Sequence, residues 1–249
     1  MNQATISIGP VLAVVLAGLV LVAAVAAALG RLGAPWAVVT ASVRAVAQLA
    51  LVSLLITAVL RSWWSTAGFI LLMVLVAAAT SARRISTLRL GWPALLPIVA
   101  GAGVAGVVVV AAGTVPATEI AVLPIAGILI GGAMTATSLS GRRALDELRD
   151  RRGEYEAALA LGFLPRDAAL EVCRPTAGQA LMPALDQTRT VGLVTLPGAF
   201  VGVLLGGGSA AQAGATQLLV LVGLLAAEAI AAAVMLELVA SGLVGRSPR

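Results

Sequence analysis

The residue types that carry most enzyme and metal chemistry are scarce in this chain. It has no lysine, so a GxxxxGK[ST] phosphate loop cannot be built from it. It has no histidine, which removes the commonest transition-metal ligand and the usual general base. Its one cysteine, Cys173, allows neither an internal disulfide nor a CxxC metal site and is read as a small packing residue. What remains is a handful of polar groups in apolar surroundings. Glu228 lies in the middle of a long apolar run, where an ionisable group is costly and marks a functional site by default. It either binds a cation or a proton, or stays buried and hydrogen-bonded to a neighbour. Arg44 and Gln48, four apart on one helical face, either line a pathway or brace a dimer, or else Arg44 reaches along its stem to the membrane surface. Met134, Thr135, Thr137 and Ser138 form a polar patch that either faces a pathway or joins helices. Asp186 and Arg189, three apart, are either a structural brace or a solvated pair. Glu119 and Glu237 sit near the ends of apolar runs and are read as interfacial.

Most of the charge falls between residues 142 and 189. Within that segment, YEAALALGFLPRDAALEVCRP occupies 155–175. The pattern predicts a helix over 142–164, with Tyr155, Ala158, Leu159, Gly162 and Phe163 on one apolar stripe and Glu154 and Glu156 off it. Gly162 suits a helix C-terminus, and Pro165 opens a second helix that runs to about Leu181. Asp167 is favourably placed near that second N-terminus. The unit is a helix–turn–helix elbow. An apolar stripe on such an elbow seeks a partner's groove, and the small residues Ala157, Ala158 and Gly162 would let the partner's backbone come close.

The elements that must position these groups are membrane spans. Of 249 residues, 60% are hydrophobic and only 11% charged, with a mean hydropathy of +1.07. A soluble domain carries about 25% charged residues. Seven runs approach the roughly 20 apolar residues that a spanning helix needs; they lie at about 7–29, 37–60, 64–82, 93–113, 119–140, 190–208 and 214–241. Arginine recurs in every second connection: Arg31, then Arg83, Arg84 and Arg89, then the segment from Arg142 to Arg189, then Arg246 and Arg249. The positive-inside rule then puts the N-terminus outside and the C-terminus and elbow in the cytoplasm. The net charge of +5 is read as cytoplasmic-loop arginine rather than as a nucleic-acid footprint. No positive segment precedes the first apolar run, so no cleaved signal peptide is expected. No strong internal repeat is present, which weighs against an inverted-repeat carrier. The expected fold is all-α: a single polytopic membrane domain over 1–249, with the segment at about 142–189 projecting from it.

Glu156-Ala157-Ala158, three residues, Gly162, nine residues, then Val172-Cys173-Arg174-Pro175 resembles the EAA loop of ABC-transporter permeases. Three further blocks narrow the likeness: SVRAVAQL at 42–49, PIAGILIGGAMTATSL at 124–139 and LMPALDQTRTVGLVTLPG at 181–198. These are similar to signature blocks of the Fet-type iron-export permease family, which includes plant proteins linked to aluminium tolerance. The resemblance runs from about residue 40 to about 240. It implies a permease subunit that pairs with a second copy of itself and with a cytosolic ATPase in the inner (plasma) membrane. The implied cargo is iron or another metal or metal complex, moved outward. It also implies that Glu156, Ala157, Ala158, Gly162 and Pro165 belong to the helix that docks into the ATPase, and that Asp186 and Arg189 lie in a structural block.

Three positions in two places depart from the family pattern. Pro197-Gly198 is followed by Ala199 and Phe200 where two methionines are usual, so soft thioethers give way to hydrocarbon, and Gly132 stands where asparagine is frequent. On this reading no residue of the chain makes or breaks a covalent bond, and no cofactor or nucleic acid is required. Two rival readings remain: a proton-coupled carrier using Glu228, and a membrane scaffold that recruits a cytosolic partner without transport.

Overall fold

The computed structural model describes residues 9–86 and 92–245; Arg89, Arg246 and Arg249, counted above among the basic connections, lie outside them. The chain divides into two compact units, one ending at Arg61 and one beginning at Ser62. In the first, α1 (Pro10–Leu29) and α2 (Pro35–Val59) pack against each other across a five-residue connection. Each begins with proline, whose missing N–H costs nothing in a first turn. No residue of α1 is buried, and in α2 only Val59 is. Helices apolar on every side with no core of their own belong in lipid or against another protein.

The second unit has a core. It contains α3 (Trp63–Ile85), α4 (Leu95–Ala111, entered through a 3-10 turn at Trp92–Ala94), α5 (Glu119–Asp150) and α10 (Ala210–Ala240) as its long helices. Between α5 and α10 come α6 (Arg152–Ala160), α7 (Pro165–Ala177), a 3-10 turn at Gly178–Leu181, α8 (Met182–Thr190) and α9 (Gly198–Leu205). The long helix α10 packs most extensively on α5 and α4, and α3 lies against α5. The core is made largely of alanine: Ala133, Ala136, Ala227 and Ala231 are fully buried, with Ile98 and Leu129 filling the remaining space. Lipid offers no hydrophobic drive for helices to associate, so close approach through small residues and van der Waals contact supplies it. Gly101 shows how close: a Cβ there would overlap the backbone carbonyl of Ala227 and lie 3.1 Å from the Ala231 Cβ.

Six helices among the described residues (α1, α2, α3, α4 with its 3-10 turn, α5 and α10) are long and apolar enough to cross a membrane. With no strand among the described residues beyond an isolated bridge between Val191 and Thr195, the protein is an all-α polytopic membrane protein. Two expectations change. The apolar run at 190–208 is not one continuous helix: α8 ends at Thr190, residues 191–197 are non-helical, and α9 has eight residues. At 1.5 Å per residue α9 is roughly 12 Å long, too short to cross a hydrocarbon core of about 30 Å alone. Hydropathy counts side chains and does not register the breaks at Gly192, which has φ +83, and at Pro197, whose ring cannot donate a hydrogen bond. The helix expected over 142–164 is also divided. Its first part is the end of the 32-residue α5, and the chain turns at Arg151 before α6.

Candidate functional site

The elbow is α6, the turn at 161–164 and α7. Gly162 holds φ +92, a conformation that costs glycine little, and its N–H donates to the Leu159 carbonyl at 3.0 Å while Phe163 N–H donates to Ala158 at 3.1 Å. Pro165 is the first residue of α7, with Leu164 extended before it. The apolar stripe read from the sequence is split by the fold. Tyr155, Ala158 and Leu159 are half-buried, and Tyr155 packs with Ala169, Leu170 and Ala240. What stays exposed is the tip: Leu161, Phe163 and Leu164, beside exposed Ala157 and Glu156. Glu156 accepts from Arg152 Nε at 2.7 Å, an exposed pair within α6.

Three ties fasten the elbow to the long helices. Arg151, at the break between α5 and α6, donates to Glu154 and reaches the Val172 carbonyl of α7 at 3.4 Å; its hydrogen bonds hold the Glu154 carboxyl below the usual range. Cys173 is fully buried and its thiol donates to the Ala144 carbonyl of α5 at 3.4 Å. Burial pushes that thiol up to about 11. At the start of α7, Arg166 forms a forked ion pair with Glu237 near the end of α10, one arm of which is 2.9 Å, and a second contact with Asp167 at 3.0 Å. The Glu237 hydrogen bond, more than any other contact, raises the affinity of the Arg166 guanidinium for its proton. A further bond of 3.0 Å joins Arg143 on α5 to Gln179 in the turn after α7.

The expected brace is placed differently. Asp186 and Arg189 are 3.6 Å apart, both within α8 and both exposed, so their contact ties no second element. The cross-element brace is Arg166–Glu237, whose partners lie 71 residues apart. No local spacing announces such a pair.

Of the polar groups inside apolar runs, Arg44 and Gln48 sit exposed on α2. Ser138 acts between helices: its hydroxyl is 2.9 Å from that of Ser81 on α3, and Ser81 also donates to the Met134 carbonyl at 3.2 Å. Met134 itself packs at the edge of the core. Thr135 is exposed and its hydroxyl returns to the Gly131 carbonyl of its own helix at 3.0 Å. Thr137 is fully buried and its hydroxyl oxygen has no partner. Glu119 lies in the first turn of α5, where the helix dipole favours an acid. Glu228 on α10 is buried, 7% exposed, and lies on Gly132 of α5: a Cβ at 132 would stand 2.8 Å from its Oε1. The absent side chain at 132 is what accommodates the Glu228 carboxyl. Gln217, which the sequence reading passed over, is 5% exposed with an unpartnered Oε1; its signal was an amide inside an apolar run. Among the described residues, no group of three or more His, Cys, Asp or Glu could hold a metal ion.

A bundle of long apolar helices with a charged elbow fastened to two of them defines a polytopic membrane protein of the all-α class. The chain belongs to the family described as "Uncharacterised protein family (UPF0014)", whose model matches residues 11–243. It is 34% identical over 205 residues to the UPF0014 membrane protein STAR2 of Oryza sativa subsp. japonica, covering 80% of this chain and 71% of that one. Over 162 residues it is 36% identical to the Protein ALUMINUM SENSITIVE 3 of Arabidopsis thaliana, covering 65% and 59%. Over 112 residues it is 32% identical to the Probable iron export permease protein FetB of Escherichia coli (strain K12), covering 45% and 43%. No solved structure matches the chain.

Proposed function

We propose that this protein is the membrane permease subunit of an ABC transporter, acting as a homodimer with a separate cytosolic ATPase and moving iron or another metal or metal complex outward. The observation that carries the reading is the elbow: an exposed apolar tip on a helix pair tied to α5 and α10 by buried and ionic contacts. A partner seated on Leu161, Phe163 and Leu164 would move α7, and the Arg166–Glu237 pair would pass that motion to α10. Glu156, Ala157, Ala158, Gly162 and Pro165 shape the docking surface. The cargo comes from the name of one relative and from the family resemblance. The reading also places the protein in the plasma membrane with its N-terminus outside. That sidedness needs the broken segment from α8 to α9 to count as one crossing, in the manner of the discontinuous helices of transporters.

The test is a mild-detergent pull-down of the full chain from native membranes, compared with Leu161→Glu. Leu161 is 80% exposed, so the substitution is expected to leave the fold intact. An ATP-binding subunit that accompanies the native protein and is lost from the variant supports the reading; its absence from the native protein overturns it. Glu228 favours a second reading, since a buried carboxyl with no ion-pair partner among the described residues suits proton coupling. Transport that persists without ATP and vanishes in Glu228→Gln would establish that reading instead.

A further inference from the structure

The polar helix α8 lies at membrane depth, and what it touches fixes how deep. Leu181, just before it, packs on the alanine core of the bundle. Gln187 borders a cavity together with Ile128 of α5 and Leu224 of α10. Leu224 is the fourteenth residue after Ala210 and the sixteenth before Ala240, the middle of α10. Ile128 is the ninth after Glu119, roughly 14 Å along α5 at 1.5 Å per residue. A hydrocarbon core of about 30 Å has its centre at about 15 Å. The polar helix therefore reaches the bilayer mid-plane.

One face of α8 turns to the bundle, where Ala184 is buried. Met182, Asp186 and Arg189, at i, i+4 and i+7, share the opposite face and are exposed, the two charged side chains by 63% and 67%. Their own contact is 3.6 Å, too long for a hydrogen bond. Among the described residues neither side chain has another partner. Charges inside a membrane face a bundle interior or water, because hydrocarbon solvates them poorly. The single methylene of Asp186 cannot carry its carboxylate to a headgroup about 15 Å away. The next segment has the same requirement. Residues 191–197 are non-helical, with Leu193, Val194 and Leu196 exposed, and they run between Gln187 and Pro197, which border one cavity. Irregular backbone at this depth is tolerated only where protein buries it or water fills the space beside it.

We infer that the exposed face of α8 is the wall of a water-filled passage through the membrane, and that Asp186 is the group a cationic cargo meets there. The inference rests on the transporter reading above and gives its cargo a point of contact. Arg189 is the counter-ion of Asp186 while the passage is empty. Met182, one turn away on the same face, adds a thioether as a second donor to a metal cation. One carboxylate and one thioether hold an ion loosely, which suits a site that cargo must also leave.

The experiment uses the full chain with its co-purified partner in lipid nanodiscs, open to water on both faces. It reads the rate at which MTSET, a cationic thiol reagent that does not cross lipid, modifies Met182→Cys and Arg189→Cys, which bracket Asp186. Cys173 adds little background because it is fully buried. Leu161→Cys on the elbow tip is the water reference, and Leu72→Cys, on an exposed hydrocarbon face near the middle of α3, is the lipid control. Both α8 sites are expected to react at rates near that of Leu161→Cys, with Leu72→Cys orders of magnitude slower. Manganous ion, a hard cation that leaves thiols largely free, should slow Met182→Cys by about fivefold when present at about four times its Kd. Asp186→Asn should remove that protection and Arg189→Gln should strengthen it. Inert cysteines at both α8 sites overturn the inference. So does reaction at Met182→Cys alone, since water would then stop short of the mid-plane. Disulfide-linked Arg189→Cys pairs that resist MTSET would show a second copy sealing the face and overturn it too. Reaction without manganese protection, or protection that survives Asp186→Asn, overturns the assignment of Asp186 to a cation. The ATPase content of the same preparation separates the two claims. ATPase present with both cysteines inert sinks the passage alone, and water access with protection but no ATPase upholds the passage and sinks the ABC assignment.

Discussion

Where α10 crosses α4 and α5, contact is made largely by alanine and glycine, with the Glu228 carboxyl seated on Gly132, and at the neighbouring α3–α5 seam the hydroxyls of Ser81 and Ser138 bond each other. Where α7 lies against the ends of α5 and α10, contact is made by arginine forks, a buried thiol and one aromatic ring. The first region spans apolar runs in which lipid already satisfies the side chains, so only close fit holds helices together. The second lies at the charged end of the same helices, where arginine can stay half in solvent while its head binds a carboxylate. Arg166 and Glu237 are 52% and 45% exposed, so their pair positions α7 more than it stabilises it. One region is rigid because nothing bulkier fits; the other is oriented by contacts that can be remade. That division suits a bundle that must not fall apart and an elbow that must transmit a movement.

The largest effect is expected from violating the close fit. Gly101→Leu would drive a side chain into the Ala227 carbonyl, and overpacking of this kind costs about 3 kcal/mol or more. The purified variant should lose most of its folded yield in a detergent melting assay. An unchanged melting temperature would mean that the bundle is as yielding as the elbow and would break the comparison.

A smaller effect is expected at the seam between the two regions, where Cys173 is, among the described residues, the one ionisable group fully buried on the elbow side. Its thiol is held near 11 against an ordinary value of 9.0. Below pH 9 the thiol is protonated in both folded and unfolded chains, and it costs nothing. Between pH 9 and 11 the unfolded chain gains by ionising and the folded chain does not, so stability falls with rising pH. Cys173→Ala should therefore flatten the alkaline decline in melting temperature across that window. If native and variant decline in parallel, the thiol is not buried as described.

The least effect on stability, and the most local effect on motion, is expected from Glu237→Gln. Its melting temperature should match that of the native protein. Hydrogen exchange over residues 163–170, where α7 begins, should speed up several-fold, because α7 loses its fork to α10 while its apolar packing remains. A drop in melting temperature without a change in exchange would assign the pair to stability and remove it from any coupling role.

Much of this was legible in the residues themselves. The all-α membrane class followed from composition, and Pro10, Pro35 and Pro165 each begin a helix at a position where their chemistry allows it. The turn at Gly162 was legible because a glycine at a helix end, with Pro165 shortly after it, leaves few alternatives, and the structure gives Gly162 a φ of +92. The residue pattern leaves the hydroxyl of Ser138 two possible uses, and the structure sets it against Ser81 on another helix. The run at 190–208 misled because hydropathy sums side chains over a window, while Gly192 and Pro197 act on the backbone. Asp186 and Arg189 drew attention because they are near each other in the chain, and the same nearness confines their exposed pair to one helix.

The amino-acid sequence by itself determined the solvent of this protein, the start of α7 at Pro165, the existence of an elbow and the absence of any phosphate loop, because each depends on residue type or on spacing within a few turns. Only the tertiary structure decided which face of the elbow is left free, that Arg166 meets Glu237, that Gly132 makes room for Glu228, and that Gln217 ends unpartnered beside a broken helix. Those outcomes depend on contacts between residues tens of positions apart, and the energies that select them are set by packing, which no local pattern carries.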